Sequence, residues 1–583
     1  MVILLLLAVI VRLPWVGDLG MHAATIERLR HDLTDPGNPL VDADTPSPYY
    51  SPWMLLLGCL ARLTGLSVFV VLRAGALAGL ALLVTGVVRY TRTLSAHRAA
   101  PALAVLSLVL LWGTIPYAWS GFLGLDCLAL TVSYPSMFAF GLAFHFWAWL
   151  TRTLRAGPDG WGWGAWAGLG VLWAVILLCH QFTGVVASLG ALAAVLATRR
   201  AGPTRRAGPT RRGPTRRAGS AGRDKTTRRA RSTEQDQSVV QAPSTGRAQS
   251  VGQARSVGQA RSVEQTGSVG QSRSVRQVTS DWQVWKIRSL RQALRRIRRV
   301  CRVWPARLAR RGWVRPAVGA SAGLLVLSLW PYYDFLALSG AGAGLEHLQR
   351  ALYRDLFARH WLVLLGVAAL VPRWWRDHRD PLVLFFALGA LVFVAGGLTG
   401  HYAWGRALSA ALVPAQLAAA LAPVESARRP RLLRAGWAVL LAAALAVGAW
   451  TQAGTAGYVV PRGTLPGAVE AKYRKPWAGY HWITPWVRYG DVVMARTFPA
   501  RQIPAYGAYT VAPGYPDFFL PDEKARQEAV RRFFTPGTAA GERRKILRAY
   551  GVRWVVDRAG ALPASGLREV ARGPDGQVLY EAV

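Results

Sequence analysis

Eleven stretches of this chain are apolar and almost free of charge, and nothing else in the sequence restricts its fold as strongly. A run of roughly 18 or more such residues is long enough to cross a bilayer as a helix. A soluble core helix of that length would show a polar face, and these stretches mostly show none. They fall at about 2–17, 67–88, 100–118, 130–150, 163–179, 182–198, 317–333, 360–372, 381–399, 407–423 and 435–450. The pattern predicts an all-α polytopic membrane protein with about 11 transmembrane helices. The segment Val2–Val11 is as short as a signal-peptide core, but no small-residue cleavage site follows it, so it reads as a retained anchor.

Charge sets the expected orientation. The formal net charge of +40 would suggest nucleic-acid binding in a soluble chain. It is concentrated instead: residues 199–315 hold 28 Arg and 2 Lys against 5 acids, about +25 of the total. In a membrane protein such a cluster marks the cytoplasmic side, so no nucleic-acid partner is expected. With the N-terminus inside, Arg89, Arg92 and Arg98, then Arg152 and Arg155, then the basic insert, then Arg373, Arg376 and Arg379, then Arg428, Arg429, Arg431 and Arg434 all fall on one side. The count then places residues 451–583 outside the cytoplasmic membrane. Arg greatly outnumbers Lys, and with abundant Ala, Gly and Trp this points to a GC-rich bacterial genome.

The expected layout has an N-terminal transmembrane region (1–198) with a long first outer loop (18–66), and a C-terminal transmembrane region (316–450). Between them, residues 199–280 form a low-complexity insert. It opens with an AGPTRR-type repeat and continues with SVGQAR-type hexapeptides, a composition that stays disordered because it cannot repay ordering entropy. Within 281–315, Ile287, Leu290, Leu294, Ile297, Cys301 and Trp304 recur at helical spacing among arginines. That predicts a basic amphipathic helix lying on the anionic lipids of the inner leaflet. The tail, 451–583, reads as a small extracytoplasmic α/β domain. It has strands at 491–495 and 552–557, helices at 522–534 and 538–550, and a hairpin across Pro574–Gly576.

Candidate chemistry gathers at the expected outer face. Gly17-Asp18-Leu19-Gly20-Met21-His22 follows the first span directly, and a carboxylate at the lipid boundary is costly unless hydrated, paired or used. As a bland alternative, Asp18 caps the short helix that begins after it. Arg406 stands at another outer turn with His401 and Tyr402, where its guanidinium matches a phosphate; snorkelling to headgroups is the competing reading. His22 can hydrogen-bond a phosphate, join a metal site or serve as polar surface, and His180, in Cys179-His180-Gln181-Phe182-Thr183, sits at an outer turn between two spans. Tyr332 and Tyr333 can line a cavity or belong to an interfacial aromatic belt. The four cysteines show no metal spacing, and no Gly-rich phosphate loop is present, which weighs against an ATP-driven pump.

The layout resembles the GT-C superfamily, membrane glycosyltransferases that use polyprenyl-phosphate sugars. Protein O-mannosyltransferases, aminoarabinose transferases and actinobacterial arabinosyl- and mannosyltransferases belong to it. The likeness lies in the acid after the first span, the long outer loop with a surface helix, the lead-in Tyr49-Tyr50-Ser51-Pro52-Trp53, and a tail carrying Tyr550-Gly551-Val552-Arg553-Trp554. Many relatives carry two acids where this chain has Asp18 followed by Leu19. The resemblance implies transfer of a sugar from a polyprenyl-phosphate donor to an acceptor in the cell envelope. Asp18 would be the general base, and Asp126 would match a second acid that binds acceptor or metal; a divalent metal is compatible but not demanded. Two other readings stand beside it. One is a secondary transporter or lipid flippase, although no repeat of spans is visible. The other is a non-catalytic scaffold whose basic loop binds lipid.

Overall fold

A computed structural model describes residues 1–115, 119–156, 162–198, 314–338, 346–425, 430–561 and 566–583. The low-complexity insert, and all but the end of the amphipathic helix expected at 281–315, lie outside the described residues.

Each of the predicted spans coincides with a helix, although several begin or end some residues away from the expected bounds. The helices are α1 (Val2–Arg12), α4 (Val68–Leu94), α5 (Ala100–Leu110), α7 (Pro135–Ala156), α8 (Trp163–Cys179), α9 (Gln181–Thr198), α10 (Val314–Ser328), α11 (Leu356–Arg376), α12 (Pro381–Thr399), α13 (Leu408–Leu421) and α14 (Arg431–Thr451). Five of them (α4, α9, α11, α12 and α14) are long and apolar enough to cross a membrane. The chain is therefore a multi-pass membrane protein. Helix α1 stops at Arg12 because Leu13 turns left-handed before Pro14, which disfavours helix in the residue preceding it. Helix α13 is buried along its whole length, as expected for an apolar helix at the centre of a bundle. Where α8 crosses α10 the backbones touch: a Cβ on Gly170 would lie 1.8 Å from Gly319 O, so only glycine permits the crossing.

Two further helices, α2 (Leu19–His31) and α3 (Pro52–Thr64), occupy the first loop, with α6 (Leu125–Leu130) in the second. Ser51 accepts a hydrogen bond from Met54 N–H and Pro52 takes the first position of α3, a well-formed helix start.

The tail folds as a mixed five-stranded sheet in the order β2-β1-β3-β5-β4. Its strands are β1 (Val492–Ala495), β2 (Tyr509–Thr510), β3 (Val552–Arg558), β4 (Leu567–Arg572) and β5 (Gln577–Ala582). β1 runs parallel to β2 and β3, while β5 is antiparallel to both β3 and β4. Helices α15 (Glu523–Phe534) and α16 (Ala540–Ala549) pack on one face through Val530, Phe533, Phe534 and Leu547. Tail and first loop interlock. Thr510 N–H donates to Leu40 O at 2.9 Å, and the buried Arg28 of α2 donates to Ala508 O at 2.9 Å. Asn38 and Ser47 donate to the buried carboxylate of Asp517 at 2.8 and 3.1 Å. This docking places a tail loop over the ends of the helices, where the site lies.

Candidate functional site

A cavity of about 270 Å³ opens at the end of the bundle where α1 and α8 finish and α7, α9 and α13 begin. Asp18, His22, Tyr134, His180, Arg406 and Tyr515 line it. Three residues singled out in the sequence for their chemistry, Asp18, His22 and Arg406, thus meet on one cavity with His180.

The path from α1 to α2 fixes Asp18. Gly17 turns with φ +60°, a conformation that favours glycine, and the carbonyls on either side of the turn are clamped. Tyr134 donates its hydroxyl to Val16 O, and Tyr515 donates to Gly17 O at 2.6 Å. Asp18 occupies the N-cap position of α2, but its side chain makes no capping hydrogen bond, so the carboxylate is left to the cavity. Burial raises its pKa above the ordinary carboxylate value, while Arg406 and Arg501 oppose the rise.

His22 lies one helical turn on, 6% exposed, with its ring edge against Tyr134. Burial lowers its pKa to about 3, so the imidazole is neutral near pH 7. His180 sits between α8 and α9. Thr183 donates its backbone N–H to Nδ1 at 3.2 Å, and its hydroxyl lies 2.8 Å from the same nitrogen. Burial, Arg406 and His22 together hold this ring neutral as well, with a pKa of about 3.

Arg406 is held firmly. Nε donates to Gln349 Oε1 at 2.9 Å and Nη1 to Ser120 O at 2.7 Å. The guanidinium is sandwiched between the rings of Trp119 and Phe182, each 4.7 Å from its centre. A planar cation fixed by two hydrogen bonds and two rings is pre-organised to meet an anion rather than free to snorkel.

The other candidates sit elsewhere. Asp126 is 7% exposed, with Oδ1 accepting from Tyr458 at 3.4 Å. Burial raises its pKa, while Arg474 and the Tyr458 bond pull it down. Tyr332 donates to Leu33 O at 2.5 Å, Tyr333 is buried beside Phe519, and His401 is exposed against Trp404. None of these four is among the residues that line the cavity.

Sequence reasoning missed the tail's share of the site. Tyr515, Pro516 and Phe518 line the cavity, and Tyr49 of the first loop joins them by donating its hydroxyl to Pro516 O. The only signal was the Tyr-Pro-Asp-Phe-Phe phrase at 515–519, aromatic residues in a stretch with no strand or helix pattern. Among the described residues, no group of three or more His, Cys, Asp or Glu side chains is placed to hold a metal ion. One carboxylate and two neutral imidazoles beside a fixed guanidinium suit an anion and a transferable proton better than a cation.

No protein-family model matches the chain, and no curated protein matches it.

Proposed function

We propose that this protein is a GT-C-like inverting glycosyltransferase that moves a sugar from a polyprenyl-phosphate donor to a hydroxyl acceptor outside the cytoplasmic membrane. The observation that carries the reading is the meeting of Asp18 and Arg406 on one cavity at the end of the bundle, with the carboxylate not engaged as a helix cap. Asp18 takes the proton of the acceptor hydroxyl. The acceptor oxygen forms its bond to the anomeric carbon from the face opposite the phosphate, and the bond from that carbon to the phosphate oxygen breaks. The phosphate leaves with the electron pair, and Arg406 offsets its charge. General-base assistance of this kind contributes roughly 10²–10⁴-fold. Tyr515, Pro516 and Phe518 of the tail form the wall that selects the acceptor. This reading places the N-terminus and the basic insert inside and the tail outside, with the insert against the anionic inner leaflet.

Proteoliposomes containing the full chain and a donor labelled in its sugar separate this reading from a transporter or flippase. Transfer places the label in a new glycoside and releases unlabelled polyprenyl phosphate. Label that crosses the bilayer still attached to its lipid refutes transfer and assigns the cavity to translocation. Binding of the basic loop to lipid with neither outcome leaves the scaffold reading.

A further inference from the structure

At the end of the bundle opposite the cavity, α4 and α7 run side by side and finish together, with Arg155 Nη1 donating to Thr93 O at 2.7 Å. Gly86 lets them touch: a Cβ there would stand 2.7 Å from Gly141 O. That contact brings three polar side chains onto the seam between the helices, with Thr85 and Arg89 exposed and His145 partly so. Arg89 Nη1 donates to His145 Nδ1 at 3.4 Å, and Nε2 of the same ring lies 3.2 Å from Thr85 Oγ1. A guanidinium can only donate, so Nδ1 is the acceptor, the ring is neutral and its proton is on Nε2. Nε2 then donates to Thr85 Oγ1, whose own proton goes to Ala81 O at 2.7 Å. These groups form a hydrogen-bond chain with a single direction, and a positioned cation stands at its head.

Depth decides what such a cation meets. Helix α4 has 27 residues, roughly 40 Å, against a hydrocarbon core of about 30 Å. Arg89 comes five positions before its last residue, Leu94, close to the plane where acyl chains give way to headgroups. An arginine that merely snorkels there needs no partner. This one is held by a histidine that itself faces lipid, and an ionisable side chain in that position is costly unless it is used.

The surroundings are of one sign. Arg92 follows Arg89 by three positions on α4, and Arg152 follows His145 by seven on α7, spacings that keep each on the same helix face. Both are exposed. Asp126, on α6 before α7 begins, is the only acid between residues 45 and 158. Asp380, an acid whose charge reaches this end of α4 from the start of α12, is already held by Arg373 at 2.7 Å.

We propose that the seam between α4 and α7 binds the headgroup phosphate of an anionic phospholipid. Arg89 meets the phosphate, Arg92 and Arg152 supply the surrounding charge, and His145 is a positioning residue that aims Arg89. The bilayer selects the occupant, because a lipid headgroup is the anion present at that depth beside a lipid-facing seam. A zwitterionic headgroup would bring its own cation to the same arginines, so net negative lipid is preferred. The site lies away from Asp18 and holds whether or not the chain transfers sugar.

The test uses the full chain with phosphatidylglycerol and phosphatidylcholine as probes. In nanodiscs, a photoactivatable phosphatidylglycerol should crosslink to peptides within 81–94 and 141–156 of the wild type. In detergent, native mass spectrometry should show phosphatidylglycerol retained over phosphatidylcholine. Arg89→Gln should weaken that retention about tenfold or more, the scale of a hydrogen bond to a charged group. Arg89→Lys, which keeps the charge but loses the planar fork, should lose less. His145→Phe should weaken retention several-fold, and His145→Gln, able to accept from Arg89 and donate to Thr85, should restore it. Arg376→Gln removes one charge from α11 and should change nothing. Crosslinks that miss both helices, or that join the seam to a second copy or another protein, overturn the proposal. So do equal retention of the two lipids by the wild type and an equal loss in Arg376→Gln and Arg89→Gln. His145→Gln as weak as His145→Phe removes the positioning role. The crosslink is read on the wild type, so a variant that fails to fold still leaves the site tested.

Discussion

Gly20→Ala is a small change that the geometry makes severe. Gly20 lies on α2 two residues beyond Asp18, where a Cβ would stand 1.9 Å from the backbone oxygen of Arg501. Cβ contacts under 3.0 Å are essentially never seen, so α2 and the tail must part by about 1 Å. Neither side is soft: α2 carries the buried Arg28, held to Ala508 O at 2.9 Å, and Arg501 is tied to Gly514 O at 3.0 Å. Overpacking of this kind costs about 1–3 kcal/mol. The separation also moves Asp18 against Tyr515, whose hydroxyl holds Gly17 O at 2.6 Å. A misplacement of roughly 1 Å at reacting groups lowers rates about 10²-fold. Gly20→Ala should therefore reduce sugar transfer about a hundredfold and lower the melting temperature, whereas Gly436→Ala, with nothing within 4 Å of its Cβ, should do neither. Both are measured by transfer from labelled donor and thermal unfolding in detergent. Full activity and an unchanged melting temperature in Gly20→Ala would refute the docking of the tail on α2 and the dependence of the site on it.

Burial raises the pKa of Asp18, and a base must be ionised, so transfer should rise with pH along a limb that lies above the ordinary carboxylate range. Arg406 lowers that pKa, so Arg406→Gln should move the limb to higher pH; a limb that stays put or moves down contradicts the arrangement. Reporter fusions near Gly246 and at Val583 should read cytoplasmic and external respectively, and the same side for both would refute the orientation. Deleting residues 202–277 should leave transfer and melting temperature unchanged, since a segment dominated by Gly, Gln, Ser and Arg has little apolar surface to bury; loss of either overturns that.

The helical part of the fold was legible because lipid imposes one simple requirement, and runs of Leu, Ala and Val announce it. Ends were less legible. The spans expected at 100–118 and 317–333 stop at Leu110 and Ser328, shortly before Gly113 and Pro331, because punctuation inside an apolar run outweighs its hydropathy. The tail's β3 and its β4–β5 hairpin were readable from branched residues and the Pro574-Asp575-Gly576 turn, with Asp575 at φ 58°. The two-residue β2 was not, since it is defined by its pairing with the parallel β1, through Tyr509 N–H to Asp491 O and Val511 N–H to Val493 O, and not by any pattern of its own. Asp18 and Arg406 could be picked out singly, because a charge beside lipid is conspicuous. Their meeting on one cavity, and the share of His180 and Tyr515 in it, depends on contacts across hundreds of residues that no local pattern encodes.

The most direct test of the central claim is single-turnover transfer from a labelled polyprenyl-phosphate sugar by the wild type and by Asp18→Asn. Asn preserves the shape of the side chain and is as good an N-cap residue as Asp, so a capping role would predict little change. It cannot accept a proton, so the account predicts a fall of roughly a hundredfold or more, with expression and melting temperature close to wild type. Transfer at the wild-type rate by Asp18→Asn would contradict the account.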